Sequence, residues 1–216
     1  MPSGGLRPAT VNTVPPSAAV PGPHPDPPGD LHSRPLPLTI LRAGTSWSRI
    51  YPLSFSPEYF DATNRHRFNA PAGEFGTLYA GNDDACAFVE TFGRDLDLRV
   101  VSSADLAARG RSRVEIVRDL RVVDLTGSGL ARIRADARLT TGDYTVAQRW
   151  SLALHQHPDR PDGLIWPSRF DPSRVCLAVY ERARTSIQTV PVSSLIDPGF
   201  RHELALMLDR YGIALM

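Results

Sequence analysis

Apolar and polar positions change rhythm several times along this chain, and each change marks an element. Residues 38–42 (Leu-Thr-Ile-Leu-Arg) read as a short strand, and residues 76–80 (Gly-Thr-Leu-Tyr-Ala) as a second. Between them, residues 43–74 scatter Trp47, Tyr51, Phe55, Tyr59 and Phe60 among turn formers, which predicts irregular structure. The period then becomes helical. Ala85, Phe88, Val89 and Phe92 share one face, Asn82 suits the cap, Asp83 and Asp84 the first turn, and Gly93 the end. Residues 103–109 predict a short helix, and residues 113–117 and 120–125 alternate as strands paired around Arg118-Asp119. A further short helix is expected in residues 128–138. Asp143 caps a longer one reaching His157, with Val146, Ala147, Trp150 and Leu154 inward and Pro158 ending it. Residues 164–166, 175–180 and 187–192 are strand-like. The last helix starts at Asp197-Pro198, carries Phe200, Leu204, Met207, Leu208 and Tyr211 on one stripe, and stops at Gly212. Strands and helices mix without strict alternation, so an α+β fold with a mixed sheet is expected rather than a doubly wound one.

Composition sets the limits of that domain. Residues 1–37 hold 11 of the 20 prolines, in runs such as Pro15-Pro16 and Pro21-Gly-Pro-His-Pro-Asp-Pro-Pro28, and few large apolar residues. Proline removes backbone donors and no core can form there, so a disordered tail is expected over 1–37 and one domain over 38–216. The net charge of +1 provides no basic field to attract nucleic acid or an acidic membrane surface. All 24 basic residues are arginine, so an anion site in this chain must be built from guanidinium groups. Cys86 and Cys176 fit neither a zinc pattern nor a disulfide framework, and their apolar neighbours predict buried free thiols. No basic segment leads into an apolar run at the N-terminus, and no stretch approaches the roughly 18 apolar residues of a membrane helix, so a cytoplasmic protein is expected. His155 and His157 are two apart on an expected helix and make a poor metal pair. Dinucleotide and phosphate-loop glycine motifs, the nucleophile elbow and the HExxH pair are all missing. Nothing in the pattern fixes the oligomeric state.

Three consecutive segments do carry a signal. Asn64-Arg-His-Arg-Phe-Asn-Ala-Pro-Ala-Gly73, then Gly76-Thr-Leu-Tyr-Ala80, then Ala85-Cys-Ala-Phe-Val-Glu90 resemble the signature of RES domains, which are named for an arginine, a glutamate and a serine. The matching positions are Arg42 on the first strand, Arg67-Phe-Asn69 with Gly73, Leu78-Tyr79, Glu90, and Ser168 after the apolar run Gly163-Leu-Ile-Trp-Pro. The sequence departs from that pattern at Phe68, where many members have tryptophan, and at His66, where glycine is frequent. Either change alters pocket shape without removing a charge. The resemblance implies an ADP-ribosyltransferase-like fold and an enzyme that destroys NAD at the nicotinamide–ribose bond, by phosphorolysis or hydrolysis. It implies NAD as substrate, inorganic phosphate as co-substrate of the phosphorolytic route, and no resident cofactor or metal. It further implies a bacterial toxin held in check by an Xre-like helix-turn-helix antitoxin. A transferase that modifies a macromolecule would use the same carboxylate and arginines, whereas a non-catalytic interaction domain would dock a partner through the proline-rich arm and have no need of Glu90 and Arg42.

The residue types suit that chemistry. Nicotinamide leaves NAD as a neutral base, and the ribose it leaves behind resembles an oxocarbenium ion. A carboxylate favours that charge, which suits Glu90. Arginines bind a diphosphate through paired, charge-assisted bonds, which suits Arg42 and Arg67. Tyr79 offers an aromatic face for nicotinamide, and Ser168 a hydroxyl for its amide, the ribose or phosphate. Helix periodicity by itself places Glu90 roughly opposite the apolar face, four residues before Arg94, in the order of a solvated surface pair.

Overall fold

The computed structural model describes residues 25–94 and 99–216. Strands β1 (Leu38–Leu41), β2 (Ser46–Pro52) and β3 (Thr77–Gly81) lead into helix α1 (Asp84–Phe92). Strand β4 (Val100–Val101), helix α2 (Ser103–Ala107), β5 (Arg109–Ile116) and β6 (Leu120–Asp124) follow. Two short helices, α3 (Gly129–Arg132) and α4 (Arg138–Thr141), precede α5 (Tyr144–His155). Then come β7 (Gly163–Pro167), β8 (Val175–Tyr180), β9 (Ile187–Ser194), α6 (Arg201–Tyr211) and β10 (Ala214–Leu215).

The main sheet runs β1-β6-β7-β8-β3-β2-β5-β9, and β10 pairs with β4 apart from it. Only β6 and β7 run parallel within the main sheet; its other pairs are antiparallel. The expected mixed α+β sheet with flanking helices is therefore present. Strands β2 and β3 meet at Ser48↔Gly81 alone, so the sheet opens there into two halves that curl over a shared apolar layer. Trp47, Val114, Ile116 and Ile187 from one half meet Leu78, Val122, Leu177 and Val179 from the other. A second layer packs Val146, Ala147, Trp150 and Leu154 of α5 against Val123, Leu164, Trp166 and Ala178. In the third, Phe88 of α1 meets Leu106, Leu204, Met207 and Ile213.

The helices form where periodicity and capping agree. Asp83, rather than Asn82, caps α1, its carboxylate accepting from Cys86 N at 2.8 Å. Asp143 caps α5 through Thr145 N at 2.7 Å, as expected. Gly212 ends α6 in the left-handed region at φ +59°. Gly81 lets α1 lie directly on β3, because a Cβ there would stand 2.6 Å from Cys86 Cβ and 2.7 Å from Ala87 N.

Three expectations need correction. Residues 46–52, read as irregular, form the seven-residue strand β2. Residues 113–117 and 120–125 are not a hairpin: β5 pairs with β2 and β9, β6 pairs with β1 and β7, and Arg118-Asp119 crosses between the two halves. The ordered part also begins before Leu38. Leu31 and Leu36 are buried in the layer beside α5, Trp150 Nε1 donates to Pro25 O at 2.9 Å, and Arg149 pairs with Asp26 at 2.5 Å. Proline removes donors but leaves carbonyl acceptors, and α5 supplies the donors. Residues 1–24 of the expected tail lie outside the described residues. No helix among the described residues is long and apolar enough to cross a membrane.

His155 lies flat on Phe75, with ring centroids 3.9 Å apart and planes 8° from parallel. Burial first, then Arg182 and Arg160, lower its pKa to about 4. A proton therefore binds the unfolded chain more readily than the folded one. Stability is full above the ordinary histidine value and should decline as pH falls from there to about 4. Urea midpoints across that window should fall less steeply in His155→Gln than in the wild type.

Candidate active site

Glu90 stands on the last turn of α1, and its side chain reaches the loop that follows β7. Its Oε1 accepts from Ser168 Oγ at 2.7 Å and from Arg169 N at 3.2 Å. Ser168 is 2% exposed, and its hydroxyl also accepts from Phe170 N and Asp171 N, both at 3.2 Å. It caps the turn and fixes the carboxylate at once. Arg94 Nε donates to the Glu90 carbonyl at 3.2 Å, so the solvated pair that periodicity suggests is a bond to backbone, and the carboxylate stays with Ser168.

Arg67 comes from the segment between β2 and β3. It is buried, its Nη1 donates to Gly142 O at 2.8 Å, and its guanidinium lies 4.6 Å from the centroid of the Tyr144 ring. Burial lowers its pKa, with Arg169 adding to the effect, while Tyr144, Glu90 and Tyr79 act in the opposite sense. An arginine remains charged under such conditions. Among the described residues neither Arg67 nor the exposed Arg169 has a carboxylate within salt-bridge distance. Two unmatched cations beside a carboxylate make a site for a ligand with both an anionic and a cationic part.

Tyr79 projects from β3 into the same region. Its hydroxyl donates to Asn69 Oδ1 at 2.7 Å and accepts from Phe68 N at 3.0 Å. Both functions of the hydroxyl are thus used within the protein, and burial raises its pKa well above the ordinary tyrosine value. The ring, which lies 5.4 Å from His66 and 6.2 Å from Trp166, is what Tyr79 offers. Asn69 is fully buried, with its amide nitrogen on Asp61 Oδ2 at 3.0 Å and Thr63 O at 2.6 Å. Helix α5 holds this segment from the other side. Gln148 Nε2 donates to the carbonyls of Asn64 and His66, at 2.7 and 3.0 Å, and Ser151 Oγ to that of Phe68 at 2.7 Å. Phe68 is completely buried edge-on to Trp166, so it fills an apolar slot rather than lining the site.

Arg67, Tyr79, Glu90 and Ser168 are therefore brought together, and Arg42 is not. Arg42 follows β1 where Leu41 pairs with Leu120, at the start of β6, whereas Ser168 lies beyond the far end of the parallel neighbour β7. The register separates the two by on the order of 20 Å. The Arg42 side chain is 70% exposed and pairs with Asp119 at 2.8 Å. The arginine that does approach the group is Arg49 of β2. Its Nη1 donates to Tyr79 O at 2.8 Å and its Nη2 to Tyr59 O at 3.2 Å, bridging the gap where the half-sheets separate. Its Nε is buried without a hydrogen-bond partner, and burial lowers its pKa to about 10. The sequence signal for Arg49 was its place in Trp47-Ser-Arg-Ile-Tyr51, a run whose odd positions share one face of a strand. Tyr144 and Arg169 carried no separate signal.

Under the site, the Cys86 and Cys176 sulfurs are 3.8 Å apart, both buried and free. The Cys176 thiol is pushed up by its bond to Cys86, by burial and by the nearby Glu90 carboxylate. Beside the last turn of α1, a pocket of about 200 Å³ is bordered by Phe92, Arg169, Phe170 and Tyr211 but does not include Glu90. Among the described residues no group of His, Cys, Asp and Glu is arranged to hold a metal ion.

The "Probable toxin y4kH" of Sinorhizobium fredii is 28% identical over 117 residues, which is 54% of this chain and 90% of that protein. Among solved structures, the M. tuberculosis MbcT–MbcA toxin–antitoxin complex contains a chain that superposes with a TM-score of 0.56. The identity is 16%, with 80% of this chain and 92% of that chain covered. The likeness is one of fold, a mixed sheet with flanking helices. The RES domain family profile matches residues 39–206, a span that holds Arg49, Arg67, Tyr79, Glu90 and Ser168. With most of the domain inside that match, this chain belongs to the RES family.

Proposed function

We propose that this chain cleaves the nicotinamide–ribose bond of NAD and acts as the toxin of a bacterial toxin–antitoxin pair. The observation that carries the reading is the Glu90 carboxylate, held by Ser168 Oγ and Arg169 N–H beside the unmatched cation of Arg67. A carboxylate in that setting stabilises positive charge on ribose as the pyridinium departs. Arg67 and Arg169 suit the diphosphate, and the Tyr79 and Tyr144 rings suit flat, conjugated groups. No strong general acid is required, because nicotinamide leaves as a neutral base. NAD is the substrate in this reading, with water or inorganic phosphate as the acceptor and no bound cofactor. The names of the relatives, a probable toxin and a toxin bound to its antitoxin, support a partner that restrains the enzyme, which we take to be an Xre-like helix-turn-helix protein. The reading places the activity on the cytoplasmic NAD pool.

NAD labelled in its adenosine part, incubated with the protein in a bacterial lysate, tests the reaction class. The expected result is label in a small ADP-ribosyl product. Label retained on a macromolecule would instead identify a transferase.

A further inference from the structure

His66 stands at a position where the chain departs from the RES pattern, and its surroundings are more elaborate than a surface histidine needs. Its Nε2 lies 3.4 Å from Asp61 Oδ2, and its ring packs against Tyr79. Its backbone is pinned, since its carbonyl accepts from Gln148 Nε2 at 3.0 Å and from Asn69 N at 3.3 Å. Asp61 is anchored in turn by Thr63 N and Thr63 Oγ1, each at 2.9 Å, and by Asn69 Nδ2 at 3.0 Å. The side chain stays 36% exposed, and Nδ1 has no protein partner among the described residues. A carboxylate facing one imidazole nitrogen fixes the proton there and leaves the other nitrogen as the basic one.

We propose that His66, oriented by Asp61 beside Tyr79 at the rim of the Glu90–Ser168 site, is the general base that takes a proton from water and gives this chain a hydrolytic route. The inference rests on the NAD reading above. In the step, the water oxygen bonds to the ribose carbon that carries nicotinamide. The carbon–nitrogen bond breaks, and its electron pair neutralises the pyridinium. One water proton passes to His66 Nδ1 and then to solvent. NAD and water become ADP-ribose, nicotinamide and a proton. Asp61 is a positioning residue in this step.

The groups facing His66 favour the unprotonated base. Burial lowers its pKa, Arg94 of α1 adds to the effect, Arg49 of β2 and Arg65 add less, and Asp61 opposes them. The phosphate dianion, by contrast, attacks without losing a proton. The two acceptors therefore differ in their need for His66.

The test uses the full chain with NAD, with and without inorganic phosphate, and quantifies ADP-ribose and ADP-ribose 1″-phosphate by mass spectrometry. His66→Gln is expected to lose about 100-fold of ADP-ribose formation while the phosphorolytic rate changes less than about threefold, the usual worth of a general base being about 10²–10⁴-fold. The acid limb of the hydrolytic pH profile should lie below the ordinary histidine value. It should move lower still in Asp61→Asn, which removes the group that raises the His66 pKa. An unchanged ratio of the two products in a folded His66→Gln protein overturns the proposal, and so does an equal loss of both. If the wild type releases no nicotinamide under either condition, the NAD reading fails and takes this step with it.

Discussion

Glu90→Gln is expected to slow NAD consumption by about 100- to 1000-fold while leaving the protein folded. The positive charge sits on the pyridinium in the ground state and moves onto the ribose in the transition state, which brings it closer to the carboxylate. Removing one preorganised group that stabilises transition-state charge costs about 10²–10³ in rate, or about 2.7–4 kcal/mol. Glutamine removes that charge but keeps an oxygen for Ser168 Oγ and Arg169 N, the two donors that hold Oε1. The loss should therefore fall mainly on kcat, since the interaction strengthens as the charge moves onto the ribose. Thermal melts should overlay those of the wild type. Steady-state kinetics on the folded variant checks this, and wild-type kcat in Glu90→Gln would remove Glu90 from the chemistry.

The second large effect separates two arginines. Arg49→Met is expected to lower activity by at least about 100-fold and stability by about 2–4 kcal/mol, because a buried charged donor leaves two carbonyls unmatched. Those carbonyls belong to Tyr79 and Tyr59, so the strand that carries Tyr79 loses its tie across the opening between the half-sheets. Arg49→Lys should not restore activity, since one ammonium cannot span both acceptors as the planar fork does. Arg42→Ala, in contrast, removes an exposed pair with Asp119 worth no more than about 1 kcal/mol, and should leave NAD consumption near the wild-type rate. Urea titration and initial rates on the three variants decide the matter. An inactive but folded Arg42→Ala protein would return the family arginine to Arg42.

The contrast between these arginines shows where the sequence was readable. Helices α1 and α5 were legible because an acidic cap precedes a clean apolar stripe, so propensity, capping and packing point the same way. Strand β2 was hidden because Arg49 and Pro52 interrupt the alternation that marks a strand, although Trp47 and Tyr51 share the Arg49 face and are buried. Arg42 stood out because the family pattern has an arginine on the first strand, and β1 is the first strand that the periodicity shows. Local periodicity also put Glu90 in solvent, since its partner Ser168 is 78 residues away and no short-range pattern encodes that bond. The motif order brought Arg67, Tyr79, Glu90 and Ser168 together on the page before the fold did so in space. The packing of Leu31 and Leu36 went unread for a related reason: proline content argues against a core of a segment's own, but says nothing about a groove beside α5 that two leucines can fill.

The group around Glu90 is expected to break the bond between nicotinamide and ribose. Chromatographic measurement of free nicotinamide from purified protein and NAD, with inorganic phosphate but no macromolecular acceptor present, tests this. The wild type should release nicotinamide in step with NAD loss, and Glu90→Gln almost none. Intact NAD after prolonged incubation with the wild type, or equal release by both proteins, would contradict it.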